Sequence, residues 1–202
     1  AFVGAKYSVK NIVFNVTARQ GMLKAKYIRP QLGIHVSYTD NKSIFTSTLS
    51  YADKFRLPDF NDLYWQPGGN KNLLPENGFS VEYSFKIQPL KKTSMYLMIL
   101  SSAVYYSIIN NNIVWSPIVS GLYSPQNIKK TRHYGIESKF ENIISWNKSN
   151  ALKFSVNYNY NHSIIINDET NKDLNGNFIR YKPQHTIKSY LIFEDKYFNL
   201  GF

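Results

Sequence analysis

Four histidines (His35, His133, His162 and His185) and the acid pair Asp168–Glu169 are the side chains here that could move protons or bind a metal. Their spacing argues against both. The histidines lie far apart, with none of the short intervals that zinc ligands keep, and the acid pair has no partner histidine beside it. With no cysteine in the chain, disulfides, thiolate nucleophiles and Cys-ligated metals are excluded. No Gly-x-Ser-x-Gly elbow, phosphate-cradling glycine loop or dinucleotide fingerprint occurs. The segment "NKDLNGNFIRYK" sets Asn171, Asp173, Asn175 and Gly176 where a calcium loop wants its first ligands and its glycine. Its last position holds Lys182 instead of a bidentate glutamate, so it reads as an Asn-Gly turn. No catalytic residue, metal site or cofactor is expected.

The elements that position any site are read from periodicity. Leu32, Ile34, Val36 and Tyr38 alternate with polar neighbours, as do Phe79, Val81, Tyr83, Phe85 and Ile87. Leu152, Phe154, Val156, Tyr158 and Tyr160 repeat the pattern. Successive strand side chains point to opposite faces, so each segment has one apolar and one polar wall. Short polar turns fall at 10–11, 40–43, 90–94, 147–150 and 194–196. Long connectors alternate with them at 56–78, about 110–134 and about 165–185, with 19–30 a shorter member of the set. Short turns at one end and long connectors at the other predict an all-β, antiparallel up-and-down meander of about nine strands, the last one cut short.

Composition supports strands. Aromatic residues make up 16% of the 202 positions, with 16 Tyr and 13 Phe, and β-branched and aromatic residues favour sheets. The sequence opens without a signal-peptide pattern. The longest apolar run is about six residues against the roughly 20 that a spanning helix needs, whereas a barrel strand needs only about 9 to 11 alternating ones. The net charge of +11 comes from scattered Lys and Arg and not from one basic face, so a nucleic-acid partner is not expected. Aromatics near strand ends (Tyr38, Tyr51, Trp146 and Tyr160) suit a membrane interface, and the polar faces suit a hydrated lumen.

The stretch "FRLPDFNDLYWQPGGNKNLLPENGFSVEYSF" carries a further signal. Its Phe55, Arg56 and Pro58, then Asp62, Leu63 and Tyr64, then Gly69, Asn70, Leu73 or Leu74, Pro75 and Glu76 resemble a segment of TonB-dependent outer-membrane receptors. Asn127, Gly135 and Glu137 resemble the family's Asn-x7-Gly-x-Glu element, and Arg180, Pro183 and His185 its Arg-x-x-Pro-x-His strand entry. One extra residue in "GNKNLLPE" departs from the commonest spacing. Pro58 and Pro75 lack an N–H and suit strand ends, while Gly68, Gly69 and Asn70 are expected to supply positive φ in a tight turn.

The resemblance implies part of a plugged 22-stranded outer-membrane barrel, not an enzyme, that takes up a scarce ligand such as a siderophore, cobalamin, haem or oligosaccharide. Residues 1–202 are then expected to be a partial barrel domain, with the plug and terminal strands outside this chain. The implied partners are outer-membrane lipid and lipopolysaccharide, the ligand, and a TonB complex engaged through the absent plug. Most motif residues are expected to shape the connector. The candidate ligand contacts are the connector residues Tyr64, Trp65, Gln66, Trp115 and Tyr123, because aromatics give large rigid contact area. Two alternatives stand beside this reading. One is a soluble or surface-displayed β-sandwich that binds carbohydrate or protein. The other is an outer-membrane barrel lipase or protease, which lacks a nucleophile–base set here.

Overall fold

The computed structural model describes residues 1–201 apart from 24–25, 90–94, 120, 148, 169–171 and 180–181. Strands form where apolar and polar residues alternate. They are β1 (Phe2–Val9), β2 (Ile12–Arg19), β3 (Met22–Leu23), β4 (Lys26–Tyr27), β5 (Gln31–Thr39), β6 (Phe45–Arg56) and β7 (Glu76–Ile87). After these come β8 (Tyr96–Val119), β9 (Leu122–Ser145), β10 (Ala151–Asn167), β11 (His185–Glu194) and β12 (Asn199–Gly201). Ten of them make one antiparallel sheet in which each strand pairs with the next along the chain, one more than the nine expected. The short pair β3–β4 stands apart in its connector.

The register keeps the two faces separate across the whole sheet. One cross-strand row runs Phe14, Val36, Leu49, Tyr83, Val104, Ile136, Tyr160 and His185. The adjacent row on the other face runs Val13, Ser37, Thr48, Ser84, Ala103, Glu137, Asn159 and Thr186. A one-residue slip would exchange the faces, so the alternation also fixes the pairing. Lys86, Lys139 and Lys188 join Glu137 and Asn157 in a polar trough on the second face.

Burial tells what this sheet is for. Among the described residues the buried hydrophobic side chains are Leu73, Ile113, Ile128, Ile165 and Ile179, all at the end with the long connectors. The apolar wall face is open, and its Leu49 is 51% exposed. A sandwich would close that face with a second sheet, and none packs on it among the described residues. Aromatic contacts gather in two belts. At the long-connector end Tyr51 meets Phe79 at 6.2 Å, Phe79 meets Tyr106 at 6.5 Å, and Tyr134 stacks on His162 at 4.5 Å. At the short-turn end Trp146 meets Phe193 at 6.2 Å, and Phe193 meets Phe198 at 6.1 Å.

The short turns fall where expected at 10–11, at 40–44 and between β9 and β10, and the turn of β11 to β12 lies at 195–198. The turn expected at 90–94 lies outside the described residues. In the turn at 40–44 the Asp40 carboxylate accepts the Phe45 N–H at 2.8 Å and the Lys42 N–H at 3.3 Å.

One expectation is overturned. The described residues of 110–134 are not a long loop: β8 and β9 are 24 residues each and stay paired from Asn110–Lys130 up to Val119–Leu122. Pro117 and Pro125, which signal breaks inside a sheet, lie here in a two-stranded ribbon whose outer edges carry no ladder to lose. Asn111 adopts φ 53°, a left-handed conformation that asparagine tolerates, without ending the pairing.

Candidate ligand-binding rim

Above the wall the connector from β6 to β7 begins with Leu57 and Pro58, where the ladder stops. Asp59 then starts a one-turn helix, α1 (Phe60–Tyr64). Asp62 folds back so that its Oδ2 accepts the Asp59 N–H at 3.0 Å. The Arg56 guanidinium holds this turn to the far end of the connector. Its Nε and Nη2 donate to Glu76 at 2.9 and 3.1 Å, and its Nη1 reaches both Asp59 and Asp62 at 3.2 Å.

Asp62 and Glu76 are buried, at 5% and 9% exposure, and a buried carboxylate needs every lone pair engaged. The ribbon supplies the missing donors. Trp115 Nε1 donates to Asp62 Oδ1 at 3.0 Å, and the Ile113 N–H donates to Glu76 Oε1 at 2.7 Å. Two asparagines extend the joint. The Asn127 side chain accepts the Leu74 N–H at 2.8 Å and donates to the Leu74 and Asn111 carbonyls at 3.0 and 2.7 Å. The Asn70 Nδ2 donates to the Pro125 carbonyl at 3.0 Å. The connector and the ribbon are one clasped unit.

The glycines serve this joint differently from expected. Neither Gly68 nor Gly69 has positive φ; the positive values fall at Gly121 and Gly176. A Cβ on Gly68 would lie 2.0 Å from the Tyr123 carbonyl oxygen, and one on Gly69 would lie 2.7 Å from the Trp65 nitrogen. Close backbone approach is the reason for glycine at both places. In the wall, a Cβ on Gly135 would come within 2.0 Å of the Tyr160 carbonyl oxygen and 2.7 Å of Tyr105 Oη.

The remaining connectors fill in around the ribbon. Val114 of β8 and Ile128 of β9 pack with Ile165 of β10 and with Leu174 and Ile179 of the β10–β11 connector. There Asn175 Oδ1 accepts the Asp168 N–H at 2.6 Å and Gly176 takes φ 84°, an ordinary Asn-Gly turn. Asn171 and Glu169 lie outside the described residues, as does Arg180. Among the described residues no group of three or more His, Asp or Glu side chains is placed to hold a metal.

Of the five candidate contacts, four cluster about this joint. Gly68 packs against the Tyr123 backbone and the Trp115 ring, and Gly69 against the Trp65 backbone. Tyr64 and Trp65 are 47% and 56% exposed, and Gln66 and Tyr123 are exposed as well. Phe60 lies 4.9 Å from Tyr64, and Lys71 Nζ stands 5.5 Å from the Tyr64 ring centre. Trp115 differs from the rest: it is half-buried and its N–H is committed to Asp62. Among the motif residues, Leu63 is half-buried on α1, Glu137 faces the polar trough, and Pro183 is exposed before β11. The sequence reading did not count exposed Phe60 and Leu74 among the contacts, and it missed the Asp62–Trp115 bond, whose partners are 53 positions apart.

Comparison with known proteins agrees with this geometry. A family model described as "TonB dependent receptor-like, beta-barrel" matches residues 4–201. A protein of Vibrio vulnificus (strain YJ016) named "Vitamin B12 transporter BtuB" is 30% identical over 141 residues, covering 68% of this chain and 21% of that protein. One of the same name from Photobacterium profundum is 38% identical over 87 residues, or 41% of this chain and 13% of that protein. The chain thus matches only about a fifth of the length of the first relative.

Proposed function

Because the chain belongs to the TonB-dependent receptor β-barrel family, whose members reside in the bacterial outer membrane, we propose that it is a wall segment of an uptake receptor. In this reading residues 1–202 belong to a larger barrel, the apolar face meets lipid, and the polar trough faces the lumen and a plug. Coupling to TonB runs through that plug. The observation that carries ligand capture is the clasp. It holds Tyr64, Trp65, Gln66 and Tyr123 outward on a rigid base, so little ordering entropy opposes binding. Trp115 supports the base and is not a principal contact.

The two relatives' names favour a cobalamin as the first ligand to test. A corrinoid has broad apolar surface with polar edges, which suits exposed aromatic rings beside a glutamine. The experiment measures cyanocobalamin binding to the intact receptor by titration calorimetry. Tyr64→Ala and Trp65→Ala should each weaken binding by roughly 5- to 100-fold, as for aromatic anchors elsewhere. Unchanged affinity in both variants would refute the rim as the binding surface, and no binding by the parent receptor would refute the ligand class.

A further inference from the structure

The outer wall face is nearly free of charge. Among the described strand residues it carries Asp53, Lys130 and Arg132. Asp53 is occupied: it accepts the Tyr51 hydroxyl and the Leu32 N–H, each at 3.0 Å. Outside the β9 ladder, the Lys130 and Arg132 side chains make no hydrogen bond or ion pair within the described residues, and Arg132 Nε is buried without a partner. Both lie on β9 on one face, two positions apart, which sets their Cα atoms about 7 Å from each other.

Their place in the register is what gives them meaning. The row Tyr106–Tyr134–His162 belongs to the aromatic belt at the long-connector end. One step further out, Arg132 stands between Ile108 and Ile164. The next step sets Lys130 between Asn110 and Asn167, and Asn110 also donates to Asn77 at 3.2 Å. Within two steps the face passes from aromatic rings, to a cation flanked by isoleucines, to a cation flanked by amides. That gradient matches the passage from acyl chains to headgroups, and long cationic side chains reach outward across such a boundary. An unpaired guanidinium beside a lysine is matched best by a phosphate, which Arg binds bidentately.

We propose that Arg132 and Lys130 hold the phosphate of a phosphorylated lipid of the outer leaflet, with its acyl chains lying down the apolar rows of β8 to β10. This rests on the membrane placement of the family and is independent of which ligand the rim captures. The test uses the full-length receptor extracted from outer membranes in mild detergent, with retained lipid measured by native mass spectrometry. The parent receptor should retain a phosphorylated lipid. The double variant Arg132→Ala/Lys130→Ala should retain it at about tenfold or more lower occupancy, whereas Lys139→Ala in the trough should match the parent.

Equal occupancy in parent and double variant overturns the proposal, as does an equal loss in Lys139→Ala. If the double variant does not fold, the parent is delipidated and titrated with a phosphorylated lipid and with its dephosphorylated form. Equal binding of the two overturns the proposal, and so does inorganic phosphate that competes as well as the whole lipid.

Discussion

Removing the Asp62 carboxylate should open the connector while leaving the wall intact. Asp62 accepts from Arg56 at 3.2 Å, from Trp115 at 3.0 Å and from the Asp59 N–H at 3.0 Å. Charge-assisted bonds are worth about 1.5–3 kcal/mol each but do not add, and deleting one member of a buried charged cluster costs about 3–5 kcal/mol. The β6–β7 ladder ends at Arg56–Glu76, so this cost falls on opening of residues 57–75 and not on the sheet. At a factor of ten per 1.4 kcal/mol, Asp62→Ala should speed amide exchange across 57–75 by roughly 10²- to 4 × 10³-fold. Asp62→Asn keeps one oxygen for Trp115 and should fall between. Asp59, whose side chain is 73% exposed, pairs with Arg56 at the surface and caps α1, so Asp59→Ala should change exchange by less, about 2- to 30-fold. Hydrogen–deuterium exchange with mass spectrometry on the intact receptor measures all three. Exchange in 57–75 of Asp62→Ala within about threefold of the parent, in a folded barrel, would refute the clasp.

Two other outcomes follow from the wall and its turns. Gly135→Ala sets a Cβ against the Tyr160 carbonyl, a backbone atom that cannot swing away, and should cost about 1–3 kcal/mol. Heat-modifiability on gels and urea unfolding of the intact barrel read that loss; a midpoint equal to the parent's contradicts it. Asp40 is held below the usual carboxylate value, first by the Phe45 N–H, against some desolvation, with the N–H groups of Ile44 and Lys42 and the Lys42 charge adding to it. Because the folded value is the lower one, this stabilisation is fully present above about pH 4 and disappears as pH falls through the folded value. Protection of the Phe45 amide should therefore drop on acidification in the parent and be low and flat in Asp40→Ala; identical profiles would contradict the link.

The wall was legible because period two has only one structural meaning once it repeats: a row such as Leu49, Tyr83 and Val104 can lie on one face of a sheet and nowhere else. The ribbon was not. Its Asn110, Asn111 and Asn112 run, Pro117 and Pro125 carry turn and breaker propensities, and these are decisive only where a strand has neighbours on both sides. Beyond the wall the ribbon has none, so the same residues stay paired. The clasp escaped for another reason. Asp62 meets Trp115, and Asn70 meets Pro125, across more than fifty positions with no periodicity linking them. For Gly68 the residue type was read correctly as necessary, but the cause is a carbonyl oxygen 2.0 Å from its absent Cβ and not its φ.

This division explains why the sequence identifies the family more readily than the ligand. Arg56, Asp62, Glu76, Asn70 and Asn127 spend their polar groups on one another and on the ribbon backbone. Any exchange among them leaves a buried donor or acceptor unpaired, which is costly whatever the receptor carries. Tyr64, Trp65, Gln66 and Tyr123 are exposed beside that joint, and the clasp bonds described above use none of their side chains. If the rim binds the ligand as proposed, changing Trp65 or Gln66 should alter what is captured at small cost to folding, typically within about 0.5 kcal/mol for surface positions. A receptor line can therefore keep the clasp and exchange the rim. On the proposed reading, the motif residues would mark where ligand contacts are mounted, and the exposed side chains next to them would be the ones to vary with the ligand.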